Sequence, residues 1–358
     1  MDRGGGMLMY YRRRGKQQTL KVWRSICTAC LLLRDMLWCG TVTQQTAHKN
    51  TMVICVLGRY LLKSSLCSRS WCRKSSLYSA GHGFQPEEIR EKLRAFPGGA
   101  VDLLTQGETG LAVLTVNNPS RMNAFSGAMM VELEERVSQL ESWTQGKGLI
   151  VRGAAGTFCS GSDLNAVRAI SNPQDGMKMC MFMQDALTRL QRLPLVSVAL
   201  VEGRALGGGS ELSTACDFRL MTPDSVIQFV HKHMGLVPGW GGAARLVRLV
   251  GDRHALRLLG GALKVDPELG LRIGLADGVL EEGAPQDGDE GAALRQAEEW
   301  LSRYTKGPAE VIRAAKRVVS SGRELPLTEA LRAEKEVFGT VWGGEANLRA
   351  LAGKTKHK

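Results

Sequence analysis

A chain of 358 residues, 44% of them apolar, can fill one large domain or two of ordinary size. No window supplies the roughly 18 apolar residues of a bilayer-spanning helix, because the best candidate, SICTACLLLRDMLWCG at 25–40, is broken by Arg34 and Asp35. The net charge of +12 sits entirely in residues 1–84, where fourteen Lys and Arg face only Asp2 and Asp35. Residues 85–358 hold 33 of each sign, which argues against nucleic-acid binding by the body.

The basic leader also carries six of the nine cysteines. Its Arg, Ser and Cys content with almost no acid is that of a targeting segment or of an unstructured extension, and both readings stay open. LLKSSLCSRSWCRKSSLYS at 61–79 is its most transit-like stretch, and RNA binding by the leader is a third reading. Cys27 and Cys30 form a CxxC without a second pair at metal spacing, so no metal site is expected. The body keeps only Cys159, Cys180 and Cys216, which fits a reducing compartment without disulfides.

The body begins with a short helix over 86–96, PEEIREKLRAF, stopped by Pro97-Gly98-Gly99. GLAVLTVNN at 110–118 reads as a strand. Next, Met129, Leu133, Val137 and Leu140 recur at helical spacing over 126–143, with Ser126 as N-cap. GLIVRG at 148–153 and LPLVSVALVEG at 193–203 are further strands, the second apolar enough to be buried on both faces. CDFRLMT at 216–222 and VIQFV at 226–230 follow as short strands. After residue 240 the pattern turns helical, through GGAARLVRLVG, HALRLLGGAL and PELGLRIGLA, the last capped by Asp266 with Pro267 at its first position. A flexible connector at 281–291 leads to helices over 289–306, 308–322 and 327–342 and a short basic tail. The expected divisions are a leader at 1–84, a core at 85–262 and a helical region at 263–358, the whole an α/β body with a helical appendage.

Two turns carry the chemistry. TFCSGSDL at 157–164 follows one strand; its small Ser160, Gly161 and Ser162 admit close approach to the backbone, and Asp163 can cap the next turn. ALGGGSEL at 205–212 follows another, with glycines that free the N–H groups at a helix start for an oxygen gaining charge. It is neither a phosphate-binding Walker loop nor a dinucleotide fingerprint. Either turn alone could be ordinary packing. Together they can offer one N–H each to a single oxygen, an oxyanion hole.

Four motifs in order, NNPSRMNAFS (117–126), TFCSGSDL, ALGGGSEL and GLVPGWGGAARL (235–246), resemble the crotonase, or enoyl-CoA hydratase/isomerase, superfamily over about residues 86–358. The resemblance implies a spiral of ββα repeats with a C-terminal helical region that serves the CoA site and assembly into trimers or hexamers. It implies that the N–H groups of Ser160 and Gly208 hold a thioester oxygen. Arg121, Met122 and Ala124 are to lie along the CoA, with Gly161, Asp163 and Gly207 lining the substrate. Phe338 and Lys354 or Lys356 are to reach the CoA nucleotide, and Trp240 to wall the acyl pocket or simply pack. CoA is part of the substrate, so neither cofactor nor metal is implied, and no membrane or specific nucleic-acid partner.

One acid of the family's hydratases matches Glu211. The segment expected to bring the other, QFVHKHMGLVPGWGG at 228–242, has none and carries His231, Lys232 and His233 instead. Hydration needs an activated water and a second proton-transfer group. Decarboxylation of a malonyl-type thioester needs an oxyanion hole and one acid. RMNAFSG, FCSGSDLNAV, TACDFRLMTP and GTVWGG resemble the superfamily's decarboxylating branch, which acts on ethylmalonyl-CoA and less well on methylmalonyl-CoA in a metabolite-repair role. Glu211 is then expected as proton donor or as the group that orients the departing carboxylate, helped by burial that favours its neutral form. His231 is a second catalytic candidate or a hydrogen-bonded structural residue, and Lys232 a group that attracts an anionic substrate. Cys159 is read as packing. A hydratase or isomerase and an RNA-binding relative of the fold are the competing functions. The resemblance places the protein in the cytosol, and the leader in mitochondria.

Overall fold

A computed structural model describes residues 77–78, 82–281 and 291–353. The leader through residue 76, most of the 281–291 connector and the tail with Lys354 and Lys356 lie outside the described residues. Ser75–Lys358 forms one compact unit. Of the residues assigned to the leader from the sequence, Tyr78 and Phe84 belong with it: Phe84 is buried and Tyr78 packs on the main core.

Helix α1 (Pro86–Arg94) opens the body, followed by the hairpin β1 (Ala100–Gln106) and β2 (Leu111–Asn117). A 3-10 turn at Pro119–Arg121 leads to α2 (Gly127–Ser142), whose cap is Ser126, its Oγ accepting the Met129 N–H. Such a cap contributes about 1 kcal/mol. The chain then runs through β3 (Gly148–Gly153), α3 (Leu164–Ala169) and the long α4 (Pro173–Arg192). Strands β4 (Val196–Val201) and β5 (Arg204–Leu206) precede α5 (Gly208–Ser213). Next come β6 (Phe218–Met221), β7 (Val226–Gln228), a 3-10 turn at Val230–Met234 and α6 (Gly242–Gly261), kinked at Gly251 where φ is 77°. The remainder is β8 (Lys264–Val265), α7 (Pro267–Ile273), β9 (Gly278–Val279), α8 (Ala292–Thr305), α9 (Ala309–Glu324), α10 (Leu327–Val341) and α11 (Glu345–Ala352). Asp266 caps α7 as expected, accepting the Leu269 N–H at 2.8 Å.

The larger sheet has the order β1-β2-β3-β4-β6-β9, parallel except at the β1–β2 hairpin; the smaller is β5-β7-β8. Phe125 bridges Ser162 and Cys159 bridges Ala205, both in parallel sense. The chain thus visits first the large sheet and then a second layer in successive turns, β4-β5-α5 and β6-β7-α6 being the clearest. This is the expected spiral of ββα units with a helical C-terminal region. Strand alternation explains the double burial. Leu149 and Val151 of β3 and Ala199 and Val201 of β4 enter the main core with α2 and α4. Ile150, Val198 and Leu200 point the other way, against Ala297 and Leu301 of α8.

Strand β1 and helix α4 go unassigned from the sequence. Only Val101 of β1 is fully buried, so no alternation shows. In α4 the run MKMCMFM is apolar at every position but Lys178 and blurs the helical period, although the buried stripe Phe182, Met183, Ala186, Leu187, Leu190 is regular.

Candidate active site

The two turns lie side by side. After β3 the chain turns at Ala155 and Gly156, both at positive φ, and Phe158–Cys159 pair with the β4–β5 connection. The Phe158 N–H donates to Glu202 O, the Cys159 N–H to Arg204 O and the Leu206 N–H to Cys159 O, at 2.8, 3.0 and 2.8 Å. A Cβ on Gly209 would lie 2.1 Å from the Cys159 oxygen, and one on Gly161 only 3.1 Å from the Gly208 nitrogen. Glycine is therefore required where the turns touch.

The donor expected at Ser160 is corrected. The Ser160 N–H donates to Met122 O at 3.0 Å and its hydroxyl to Arg121 O at 3.1 Å. Ser162 differs because of the parallel bridge to Phe125. Phe125 uses the flanking groups, donating to Gly161 O at 2.7 Å and accepting from Asp163 N at 2.8 Å. In that pattern the bridged residue's own N–H faces away from its partner. Among the described residues, the N–H groups of Ser162 and Gly208 have no protein acceptor. Gly208 opens α5, behind Gly207, whose N–H donates to Gln228 O at 3.1 Å and whose φ is 53°.

Cys159 is packing, as read from the sequence. Its Sγ accepts the Gly161 N–H at 3.3 Å, and burial pushes its thiol up to about 12. Asp163 caps α3 through the Asn165 N–H at 2.7 Å. Arg121 and Met122 are exposed and Ala124 is buried. Their loop is pinned by Asn123, missed in the sequence: its Oδ1 accepts the Asn118 N–H at 2.8 Å, and its Nδ2 donates to Ala154 O and Thr157 O at 2.8 and 2.5 Å.

Glu211 is 1% exposed, on the first turn of α5. Its Oε2 accepts the N–H groups of Trp240 and Gly242, each at 2.8 Å, and its Oε1 accepts that of Gly239 at 3.2 Å. His231 Nε2 stands 2.9 Å from Oε1, placed to donate to it when the carboxyl is ionised. Burial alone is thus not what Glu211 experiences; four donors converge on an acceptor. His231 Nδ1 is buried without a partner among the described residues. The glycines of GWGG make this cradle possible, because a Cβ on Gly242 would lie 2.4 Å from Glu211 Cγ.

Beneath lies Arg245, also missed in the sequence. Its Nη2 donates to Trp240 O at 2.8 Å and Glu211 O at 3.2 Å, and its Nε to Thr214 Oγ1 at 3.0 Å. Burial pulls its guanidinium down to about 10, opposed by the charge of Glu211. Trp240 is 3% exposed, meets Phe125 edge-on at 5.8 Å and abuts Gly208, so it both packs and borders the donor turn. Lys232 Nζ donates to Gly260 O at 2.7 Å, and His233 is exposed. Phe338 is an exposed residue of α10 whose ring pairs with that of Trp342 at 5.1 Å. Lys354 lies outside the described residues. Among the described residues no group of three or more His, Cys, Asp or Glu is placed to hold a metal, and no helix is long and apolar enough to cross a membrane.

The enoyl-CoA hydratase/isomerase family matches residues 106–348. Ethylmalonyl-CoA decarboxylase of Danio rerio is 69% identical over 75% of this chain and 88% of its own length. The Xenopus laevis protein of that name is 61% identical over 84% and 100%, and the Homo sapiens one 59% over 78% and 90%. Among solved structures, the enoyl-CoA hydratase from Bacillus anthracis superposes with a TM-score of 0.63 at 25% identity, covering 72% of this chain and 95% of that one. The enoyl-CoA hydratase from Thermoplasma volcanium gives 0.62 at 23% identity, covering 72% and 97%, and speaks for the fold alone. The fold, the paired turns and these likenesses agree that the chain belongs to the enoyl-CoA hydratase/isomerase family.

Proposed function

We propose that this protein is a carboxy-lyase that converts ethylmalonyl-CoA to butyryl-CoA and CO2, and acts less well on methylmalonyl-CoA. The observation that carries the reading is the single carboxylate: the chain wrapped around Glu211, residues 228–242, contains no Asp or Glu and sets His231 against it. Hydration calls for two proton-transfer groups around a water. The high identity to proteins named ethylmalonyl-CoA decarboxylase supports the substrate.

The bond from the α-carbon to the carboxylate breaks, and its electron pair passes through the α-carbon to the thioester oxygen. The Ser162 and Gly208 N–H groups hold that oxygen; one such donor is worth about 3–4 kcal/mol where it has been removed from a protease. The Glu211–His231 pair, when it carries one proton more than a carboxylate with a neutral imidazole, gives that proton to the α-carbon and regains one from solvent before the next turnover. No cofactor takes part. Arg121, Met122 and Ala124 run along the CoA with Gly161, Asp163 and Gly207. Phe338 and Lys354, in the helical region 263–358, serve the nucleotide end or a neighbouring subunit. The exposed Leu327, Leu331 and Phe338 of α10, with Trp342 just after it, support subunit contacts there, in a trimer or hexamer. A cytosolic repair enzyme that clears side products of acyl-CoA carboxylation fits the resemblance. The basic leader is the reason to sequence the mature N-terminus, since its removal would indicate import.

The test is incubation with malonyl-, methylmalonyl-, ethylmalonyl- and crotonyl-CoA, following CO2 and acyl products. Release of CO2 fastest from ethylmalonyl-CoA is expected. Turnover of crotonyl-CoA alone would overturn the reading in favour of a hydratase.

A further inference from the structure

The peptide unit between Gly239 and Trp240 is held from both sides. Its N–H, on Trp240, donates to Glu211 Oε2 at 2.8 Å. Its carbonyl, on Gly239, accepts from Gln184 Nε2 at 3.0 Å and from Cys180 Sγ at 2.7 Å, both on α4. A trans peptide is planar, with C=O and N–H pointing in opposite directions. Fixing the oxygen therefore fixes where the N–H aims, and donors on the oxygen also polarise the N–H. Burial and the charge of Glu211 push the Cys180 thiol up, so it keeps the hydrogen it donates.

Gln184 is itself held. Its Nε2 also reaches Cys180 Sγ at 3.1 Å, and its Oε1 accepts the hydroxyl of Tyr78. Those partners leave the amide one orientation, with nitrogen toward Gly239. Tyr78 precedes the family match, which begins at residue 106. Its segment is fastened to α4, where the Leu77 N–H donates to Asp185 Oδ1 at 3.0 Å, and its ring meets Phe84 edge-on at 5.9 Å.

We propose that Gln184, oriented by Tyr78 from outside the matched family region, is a positioning residue that aims the Trp240 N–H at Glu211 and so sets the carboxylate for proton delivery. The role rests on the proposed decarboxylation for its kinetic consequence and on geometry alone for its structural one.

The test uses the full chain, with Gln184→Met and Tyr78→Phe, singly and together. Gln184→Met retains side-chain volume and removes both donated bonds. CO2 release from ethylmalonyl-CoA is expected to fall about tenfold in kcat with KM within twofold, since the substrate's own contacts remain. Tyr78→Phe should cost about threefold alone and nothing further in the Gln184→Met background, because it acts through that side chain. Cys180→Ser, which keeps a donor, should retain activity that Cys180→Ala loses. Amide hydrogen exchange supplies a readout independent of substrate. In Gln184→Met the Trp240 amide should exchange at least tenfold faster while amides in β3 and β4 are unchanged. Equal acceleration throughout, additive effects of the two substitutions, or kcat within twofold of wild type in Gln184→Met would each overturn the proposal. A wild-type protein inert toward ethylmalonyl-CoA with the Trp240 exchange result intact would overturn the substrate reading and leave the positioning role standing.

Discussion

Glu211→Gln is the sharpest perturbation of the site, because it keeps shape and removes one acceptor from a cradle of donors. With the amide oxygen at the Oε2 position, the bonds from Trp240 and Gly242 survive. The NH2 group then faces the Gly239 N–H and His231 Nε2. His231 can accept only by moving its hydrogen to Nδ1, which is buried without a partner among the described residues. The opposite orientation sets NH2 against two N–H groups and is worse. Each buried donor left unmatched costs roughly 1–3 kcal/mol, so folding should lose about 2–4 kcal/mol. That lies inside the usual margin of about 5–15 kcal/mol and lowers Tm by roughly 4–8 °C for a body of this size. At 25 °C the variant stays folded, and activity can be read separately. Removing the carboxylate from the Glu211–His231 pair, and with it the site that can carry the proton, should reduce CO2 release by about 10²–10⁴-fold. The assay is CO2 release from ethylmalonyl-CoA by purified variant and wild type, with calorimetry for Tm. Release within about threefold, under ~1 kcal/mol, would refute the assignment of Glu211 to proton delivery.

Gly208→Ala should lower kcat at least tenfold, because its Cβ would lie 2.6 Å from the buried Trp240 ring and displace the donor; an unchanged rate would remove Gly208 from the oxyanion hole. Cys159 and Cys216, whose thiols burial pushes up to about 12, should resist iodoacetamide at pH 8 in the native protein, where roughly one thiol in 10⁴ is ionised. Peptide mapping before and after denaturation reads this directly. Burial works to raise the Glu134 carboxyl, but the hydrogen bond and charge of Arg189, with Arg90, outweigh it and hold the group below its ordinary 4.5. Its stabilising contribution is therefore complete above pH 4.5 and is lost as pH falls below that, so Tm should drop on acidification, and less steeply in Glu134→Gln.

The large sheet was legible because β2, β3 and β4 are rich in Val, Leu and Ile between Gly and Pro, and the three expected caps, Ser126, Asp163 and Asp266, lay where the sequence put them. The glycine turns were legible as a pair for the same reason the protein needs them: their backbones touch. What composition and spacing do not carry is which N–H in a turn is left over. Ser160 and Ser162 are alike in sequence, and only the bridge between Phe125 and Ser162 separates them. The contributions of α4 were hidden because Cys180 lies in a Met-rich run with Gln184 at its end, and both act on a backbone carbonyl, which has no residue signature. Arg245 was invisible as an active-site residue because an arginine on an amphipathic helix normally reads as surface; here its fork collects carbonyls that the turn leaves open.

Glu211 and Arg245 together explain how this site can hold a buried charge. The carboxylate collects N–H groups from the loop that enters α6, while the guanidinium collects the carbonyls of Glu211 and Trp240 that the same segments leave unpaired. Each ion thus satisfies the backbone polarity that the other cannot, and a buried ion is tolerable only when its partners are complete. A water molecule competing for Glu211 would have to displace one of four protein donors. Addition of water needs the carboxylate free to orient that molecule; loss of CO2 needs only a proton at the α-carbon once charge has reached the thioester oxygen. The crowded environment of Glu211 therefore counts against a base that orients water, while protonation of the α-carbon requires only that the Glu211–His231 pair carry one further proton.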